Sequence, residues 1–166
     1  TNEEKIDETD FPDLEKFILH RLWEMDKIIK ECVKTFNLHL MFTTLLNFCS
    51  NDLSAFYFDI RKDVIYCDGK KSIERRSSRT LLDIIFNYLV RWFAPSLSFT
   101  TEEAWKSRNN NSSIHLEDFL ITPESYKNSE VNDIWITLKQ IRKVITGALE
   151  KKRADKIIGS SLEAHI

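Results

Sequence analysis

Two groups of basic side chains are the first candidates for chemistry in this sequence. Arg61 and Lys62 close one apolar-periodic segment, and a second set opens the next segment. That second set comprises Lys70, Lys71, Arg75, Arg76 and Arg79. The dipeptide Asp68-Gly69 between them is a turn signal, so we expect both sets at the same end of the fold. Clustered lysine and arginine side chains neutralise phosphates, which predicts a nucleic-acid surface, with a solvated helix end as the simpler alternative.

A third basic group follows late in the chain, along what we interpret as the last helix. It includes Lys139, Arg142 and Lys143, and further basic residues follow toward the helix C-terminus. Positive charge near that terminus is also favoured by the helix dipole, so this group has a structural explanation as well as a functional one.

Aromatic side chains supply a second kind of candidate, because rings can stack on unpaired bases. Tyr57 and Tyr66 are flanked by polar residues, and we expect them to be open and available for stacking. We expect the four tryptophans to pack in the core instead. They are Trp23, Trp92, Trp105 and Trp135.

Catalytic and metal-binding patterns are not predicted. Asp59 and Asp63 are one helical turn apart, but they bracket Arg61 and Lys62, so ion pairing explains them more simply. The three cysteines and four histidines match no metal-ligand spacing. We therefore expect no catalytic residue and no metal site in this chain.

Composition indicates an ordinary soluble globular protein. Apolar residues make up 42% and charged residues 30%, and a net charge of −2 argues against indiscriminate nucleic-acid binding. The sequence has no apolar run long enough to cross a membrane, and its first residues are acidic and polar. The widely spaced cysteines predict free thiols in a reducing, cytoplasmic setting.

Apolar periodicity predicts an all-α fold, a helical bundle of four long helices plus a short helix. The long helices are expected at 12–36, 38–62, 71–93 and 129–154. The short helix carries Trp105. We expect residues 1–11 to be a flexible lead-in, 12–156 to form the bundle, and 157–166 to begin a linker to further chain.

Helix start signals accompany these segments. Asp10 and Pro12 predict a cap and a first-turn proline for the first helix, and Asn37 predicts its end. Thr100 and Glu103 predict a capping box for the short helix. Residues 64–67 are expected to be a separate short apolar piece.

Short sequence blocks, in order, identify a family. D-L-S-x-F-Y-F-D-I-R-K-D occupies residues 52–63, and later blocks follow it at defined positions. They are R-T-L-L-D at 79–83, R-W-F-A-P at 91–95, F-T-x-E-E-A-W at 99–105, I-H-L-E-D-F at 114–119 and I-G-S-S-L-E-A at 158–164. This order resembles the anticodon-binding domain of class I aminoacyl-tRNA synthetases, and most closely that of bacterial isoleucyl-tRNA synthetases. Ser98, at a position where relatives carry proline, and the Asn-rich loop at 107–113 depart from the pattern between blocks.

The resemblance implies a function in translation without local catalysis. The family's catalytic motifs belong to a separate nucleotide-binding domain, and this chain contains neither of them. The parent enzyme would use ATP and Mg to activate isoleucine, zinc being possible only elsewhere in that enzyme. This domain would bind the anticodon stem and loop of tRNA(Ile), with the rest of the synthetase as its other partner and neither DNA nor membrane as a ligand.

Within the resemblance, the RNA-binding candidates are the basic groups and the two open tyrosines. Arg79 is the leading candidate because it stands in the R-T-L-L-D block. Two alternatives remain open at this point. One is the same domain of a valyl-, leucyl- or methionyl-tRNA synthetase, and the other is a helical protein-interaction module without an RNA role.

Overall fold

Helices account for the regular structure in the computed structural model, which describes residues 5–108, 112–160 and 163. No strand occurs within these residues, so the predicted all-α class is confirmed. Parts of the expected lead-in, the Asn-rich loop and the I-G-S-S-L-E-A block lie outside the described residues. The chain divides into two units, Thr1–Asn128 and Ser129–Ile166, each with its own internal contacts.

The described part of the first unit contains five α-helices and one π-helical segment. In chain order they are α1 (Asp13–Lys34), α2 (Leu38–Asn47), the π segment (Phe48–Phe58), α3 (Asp59–Cys67), α4 (Ile73–Phe93) and α5 (Ser98–Lys106). The second unit contains α6 (Ser129–Ala154). Within the described residues, no helix has both the length and the apolar character needed to cross a membrane.

The predicted second long helix is a continuous helical run from α2 through the π segment to α3. Its buried side chains include Phe48, Leu53 and Phe56. A π-helix forms i→i+5 hydrogen bonds, and the spacing of the buried residues in this segment does not distinguish it from an α-helix. Residues 64–67 continue α3, so their prediction as a separate piece was wrong.

Two of the cap predictions were wrong and one is confirmed. Pro12 is itself the N-cap of α1 and makes no side-chain cap bond, while Asp10 belongs to a preceding 3₁₀ turn. Helix α5 begins at Ser98, so Thr100 lies inside it instead of at its start. The predicted break between the first two helices is present: α1 ends at Lys34, and Asn37 is the N-cap of α2. The Asn37 side chain accepts a 3.2 Å hydrogen bond from the Leu40 backbone N–H.

The short connections at 35–37 and 68–72 make consecutive helical runs antiparallel, so α1 and α4 are parallel. Both helices bury aliphatic residues, among them Ile18 and Leu22 of α1 and Leu81 and Ile85 of α4. Near the C-terminal end of α4, the Phe93 ring contacts Phe42 of α2 with centroids 6.1 Å apart. The arrangement gives the first unit two distinct ends.

Two of the four tryptophans lie in the core as predicted. Trp92 and Trp105 are buried. Trp23 is only half-buried, since its ring lies at the surface beneath the Lys27 ammonium, which is 3.5 Å from the ring centroid. Trp135 is also half-buried, and α6 contributes no buried residue. The core prediction therefore fails for Trp23 and Trp135.

A strap, residues 117–128, runs back over α1 and α4 and is held by polar contacts along its length. Arg91 donates to the Asp118 carbonyl at 3.1 Å, and Lys30 donates to the Leu120 carbonyl at 2.9 Å. Further along, the Tyr88 hydroxyl donates to Thr122 at 3.0 Å. These hydrogen bonds satisfy strap groups that have no regular secondary structure of their own.

Glu102 joins α5 to the segment that precedes the strap, which leads to a pH prediction. Its carboxylate pairs with Lys106 at 2.8 Å and accepts from the Ser113 hydroxyl at 2.8 Å and the Ile114 N–H at 3.0 Å. These partners lower its pKa from 4.5 to about 2, the Lys106 hydrogen bond being the largest cause. The pKa of Glu102 is lower in the folded state than in the unfolded state. The ionised carboxylate therefore stabilises the fold fully above the unfolded-state pKa, and this stabilisation is lost as the pH falls toward 2.

We therefore expect Glu102→Gln to lower the melting temperature near neutral pH, with a difference from wild type that closes as pH falls from about 5 to about 2. Thermal unfolding across that range measures it. Glu103→Gln, at the exposed neighbouring position, is the matched control and should leave the profile unchanged. A Glu102→Gln difference that is constant with pH would contradict the role of its charge.

Candidate nucleic-acid interface

A fully buried carboxylate, Glu15 of α1, occupies the centre of the predicted basic region. Arg61 of α3 binds it in a bidentate manner, with Nε and Nη2 each 2.8 Å from a carboxylate oxygen. The Tyr57 hydroxyl donates to Glu15 at 3.0 Å, and the Ser78 hydroxyl of α4 donates to it at 3.3 Å. This Glu15 network joins α1, the π segment, α3 and α4.

The network corrects the expectation that Tyr57 is open. Its side chain is completely buried, and burial followed by the Glu15 charge raises the pKa of Tyr57. Burial by itself lowers the pKa of Arg61, but the hydrogen bonds and charge of Glu15 more than reverse that effect and raise it. Both side chains are therefore committed to Glu15 in this structure.

The remaining basic residues surround the 68–72 turn, as the sequence predicts. We call this region the basic end; it consists of Lys62, Tyr66, Lys70, Lys71, Arg75, Arg76 and Arg79. The three lysines and Tyr66 are exposed, whereas the three arginines are half-buried. The exposed set is thus composed of flexible point charges around one open aromatic ring.

Local hydrogen bonds hold the turn that presents the basic end. Ser72 caps α4 by accepting from the Arg75 backbone N–H at 3.3 Å, and its own hydroxyl donates to Asp68 at 2.9 Å. The Arg75 guanidinium donates to the Asp68 carbonyl, and that of Arg76 donates to the Lys5 carbonyl at 3.1 Å. Arg75 and Arg76 therefore also stabilise the turn and the first described residues.

Lys62 differs from its neighbour Arg61 in environment. It forms an exposed pair with Asp59 at 3.0 Å. Such surface pairs contribute little to stability and exchange readily for other anions. Of these two adjacent basic residues, Arg61 is thus directed into the protein and Lys62 faces solvent.

The last basic group lies on α6, in the second unit. Lys143 is exposed, and Lys139 and Arg142 are half-buried. Within the described residues, no group of three or more histidine, cysteine, aspartate or glutamate side chains is placed to hold a metal ion.

Glu15 is the residue that sequence reasoning missed. It stands three residues before Ile18 and seven before Leu22, on the apolar stripe of α1. A carboxylate on such a stripe requires a buried partner, because an unpaired buried charge is prohibitively costly. The position of Glu15 on the apolar stripe therefore predicts a buried basic partner, and Arg61 has that structural role.

Comparison with known proteins gives a consistent result. Residues 15–166 match the sequence profile of the family described as the anticodon-binding domain of tRNA ligase. The chain is 49% identical to an isoleucine–tRNA ligase of Pelagibacter ubique over 98% of its length. It is also 46% identical over 98% to that of Agrobacterium fabrum, and 48% identical over 97% to that of Bartonella quintana.

The chain spans 17–18% of the length of these curated relatives. The family match covers most of the chain, and the helical architecture and the predicted sequence blocks agree with it. The chain belongs to the family of anticodon-binding domains of tRNA ligases.

Proposed function

We propose that the chain is the anticodon-binding domain of an isoleucine–tRNA ligase. The observation that carries the proposal is the 49% identity over 98% of the chain with a protein of that name. The relatives described above all carry the isoleucine name, which favours this enzyme over the valine, leucine and methionine enzymes. Residues 12–156 form the domain in this proposal, and the parent enzyme acts in the cytoplasm.

The parent enzyme attaches isoleucine to tRNA(Ile) in a reaction that consumes ATP, and catalysis takes place outside this chain. The role of the domain is to bind the anticodon stem and loop and so to position the tRNA for the distant reaction. Binding of the tRNA in the correct position increases the rate of the distant reaction, although no covalent bond is made or broken in this domain.

The basic end is the surface that we propose for the RNA. Its exposed lysines, Lys62, Lys70 and Lys71, lie around one turn and can approach adjacent phosphates of a helical stem. Tyr66 beside them offers an open ring for a base. Arg76 and Arg79 flank this surface, while Arg61 and Tyr57 act indirectly by fixing α3 and the π segment against α1.

The charge distribution explains how a chain of net charge −2 can bind RNA. Residues 59–79 contain seven lysine or arginine residues and four aspartate or glutamate residues, so this part of the chain carries a local excess of positive charge although the total charge is negative. Lysine contacts of this kind depend on salt and carry no sequence information. Identification of the anticodon therefore requires additional contacts to base edges.

Charging assays on the parent-length protein test the proposed activity. We expect tRNA to be charged with isoleucine in preference to valine, leucine or methionine, and the 166-residue chain alone to show no isoleucine-dependent ATP–pyrophosphate exchange. Preferential charging with one of the other three amino acids would refute the isoleucine assignment.

Substitution at the basic end tests the RNA surface. We expect Lys71→Ala in the parent-length protein to weaken binding of an anticodon stem-loop by about fivefold and to lower the salt slope by about one unit. The factor should be the same for cognate and non-cognate RNA, because a phosphate contact does not distinguish bases. Arg79→Ala should behave in the same way if its side chain reaches a phosphate.

Lys34→Ala is the matched control, since Lys34 is an exposed lysine at the opposite end of α1. Fluorescence titration at several salt concentrations gives both the affinity and the slope. If Lys71→Ala and Arg79→Ala both match the control, the RNA surface is not the basic end. The search would then move to Lys139, Arg142 and Lys143 on α6.

A further inference from the structure

The Glu15 network connects α1 to both helices that carry the basic end. Arg61 of α3 is the residue before Lys62, and Ser78 of α4 is the residue before Arg79. The Arg61 Nε and Nη2 atoms are each 2.8 Å from a Glu15 oxygen, and the Ser78 hydroxyl is 3.3 Å from the same carboxylate. One acidic side chain of α1 is therefore bonded to α3 and to α4, next to a candidate RNA contact in each helix.

Helix α3 depends on this ion pair for its position. Each of its nine residues is described by the structure, and none of them is buried. Its apolar side chains Ile60, Val64 and Ile65 are only half-buried. Apolar packing is non-directional, whereas a bidentate guanidinium–carboxylate pair has a fixed geometry. The Arg61–Glu15 pair is thus the directional contact that orients α3, and with it Lys62 and Tyr66.

The charge of Arg61 is used inside the protein. The side chain of Arg61 is 13% exposed, and that of Glu15 is fully buried. If Arg61 turned outward to bind a phosphate, Glu15 would remain as an unpaired buried charge, which is strongly unfavourable. The geometry therefore favours a role for Arg61 in holding α3 over a role in binding phosphate.

We propose that Glu15 is a positioning residue for RNA binding: through Arg61 and Ser78 it sets the separation of the basic side chains of α3 from those of α4. The inference rests on the proposed function, because RNA is the ligand. Phosphates along a nucleic-acid backbone have a regular spacing, so contacts on two helices form together only when the helices are held at a matching separation. A buried acidic residue that does not touch the RNA is then required for binding a polyanion.

A charge-neutral double variant separates position from charge. Glu15→Gln combined with Arg61→Met leaves the net charge unchanged and leaves no buried charge. In the parent-length protein we expect it to bind an anticodon stem-loop at least about tenfold more weakly, because more than one phosphate contact is displaced. The dissociation rate should rise by this factor and the association rate should stay the same, since steering depends on the unaltered charge. Stopped-flow fluorescence measures both rates.

The single variant Glu15→Gln tests the sign of the effect. It makes the protein more positive by one charge, which by itself strengthens the binding of a polyanion. If Arg61 were a phosphate ligand restrained by Glu15, the substitution would release it and binding would tighten. We expect binding to weaken instead, because α3 loses its fixed orientation.

Arg91→Ala is the control for a general loss of stability. Arg91 hydrogen-bonds the strap and lies about 24 Å along α4 from Arg75. This variant also destabilises the first unit but leaves the basic end in place, so its RNA affinity should equal that of the wild type. Hydrogen exchange of the parent-length proteins verifies that the bundle helices are formed in each variant under the titration conditions.

Lys71→Ala, measured in the same experiments, distinguishes failure of the inference from failure of the proposed RNA surface. If Lys71→Ala weakens binding but the double variant and Glu15→Gln both match the wild type, Glu15 does not position the surface. Tighter binding by Glu15→Gln, or a loss in the double variant that lies only in the association rate, also overturns the inference. If Lys71→Ala and the double variant both match the wild type, the RNA surface lies elsewhere and the inference fails together with it.

Discussion

Arg61→Ala in the 166-residue chain is expected to lower the free energy of unfolding by about 3–5 kcal/mol. The substitution leaves the Glu15 carboxylate fully buried without its only cationic hydrogen-bond partner among the contacts described above. The Tyr57 and Ser78 hydroxyls remain, but two neutral donors cannot replace a bidentate guanidinium. Removal of one member of a buried ion pair destabilises a protein far more than replacement of both members by apolar residues does, because it leaves an unpaired buried charge.

Lys62→Ala is the matched control for Arg61→Ala. The two residues are adjacent on α3 and both have carboxylate partners, but the side chain of Lys62 is 58% exposed and that of Arg61 is 13% exposed. We expect Lys62→Ala to change the free energy of unfolding by no more than about 1 kcal/mol. Urea denaturation followed by circular dichroism gives both values.

A double variant shows whether the cost comes from the unpaired charge. Glu15→Gln combined with Arg61→Met should recover a substantial part of the loss, because no buried charge remains. An Arg61→Ala cost no greater than that of Lys62→Ala would mean that water reaches Glu15 and that the network is not closed.

Arg91→Ala is expected to cost about 2–4 kcal/mol, because the buried Arg91 guanidinium hydrogen-bonds α4 to the start of the strap and its removal leaves those acceptors without a charged donor. It donates to the Asn87 carbonyl at 3.1 Å, to the Asp118 carbonyl at 3.1 Å and to Glu117 at 2.8 Å. It also lies 4.9 Å from the centroid of the Trp105 ring, which adds a cation–π contribution. Its loss should free the start of the strap.

Arg108→Ala is the control, since Arg108 also pairs with a carboxylate, Asp83, and lies over an aromatic ring, Phe86. The side chain of Arg108 is 45% exposed and that of Arg91 is 8% exposed, so the control should cost no more than about 1 kcal/mol. Arg91→Lys should lose nearly as much as Arg91→Ala, because a single ammonium cannot serve three acceptors in a plane.

Hydrogen exchange localises the effect of Arg91→Ala. We expect faster exchange in residues 117–128, with little change in the first half of α1. If Arg91→Ala and Arg108→Ala have equal costs, or if exchange rises uniformly, Arg91 does not hold the strap.

Much of the fold followed from the sequence because helix periodicity is local. The apolar spacing of α1, α4 and α6 predicted their positions to within two residues. For α1 and α4 the apolar stripe faces a core, whereas the stripe of α6 contains no buried residue. The ordered sequence blocks identified the family in the same way. The helix starts were harder to predict, because the N-cap residues of α1 and α5, Pro12 and Leu97, make no side-chain cap hydrogen bond that a sequence pattern would indicate.

The tertiary structure decided which charges face water. Nothing local distinguishes Arg61 from Lys62, yet the first pairs with Glu15, 46 positions away, and the second faces solvent. Phe36 and Phe99 are apolar, yet the side chains of both are almost wholly exposed in the tertiary structure. Burial and desolvation depend on residues far apart in the chain, and they determine whether a charge stabilises the fold or remains available to a ligand.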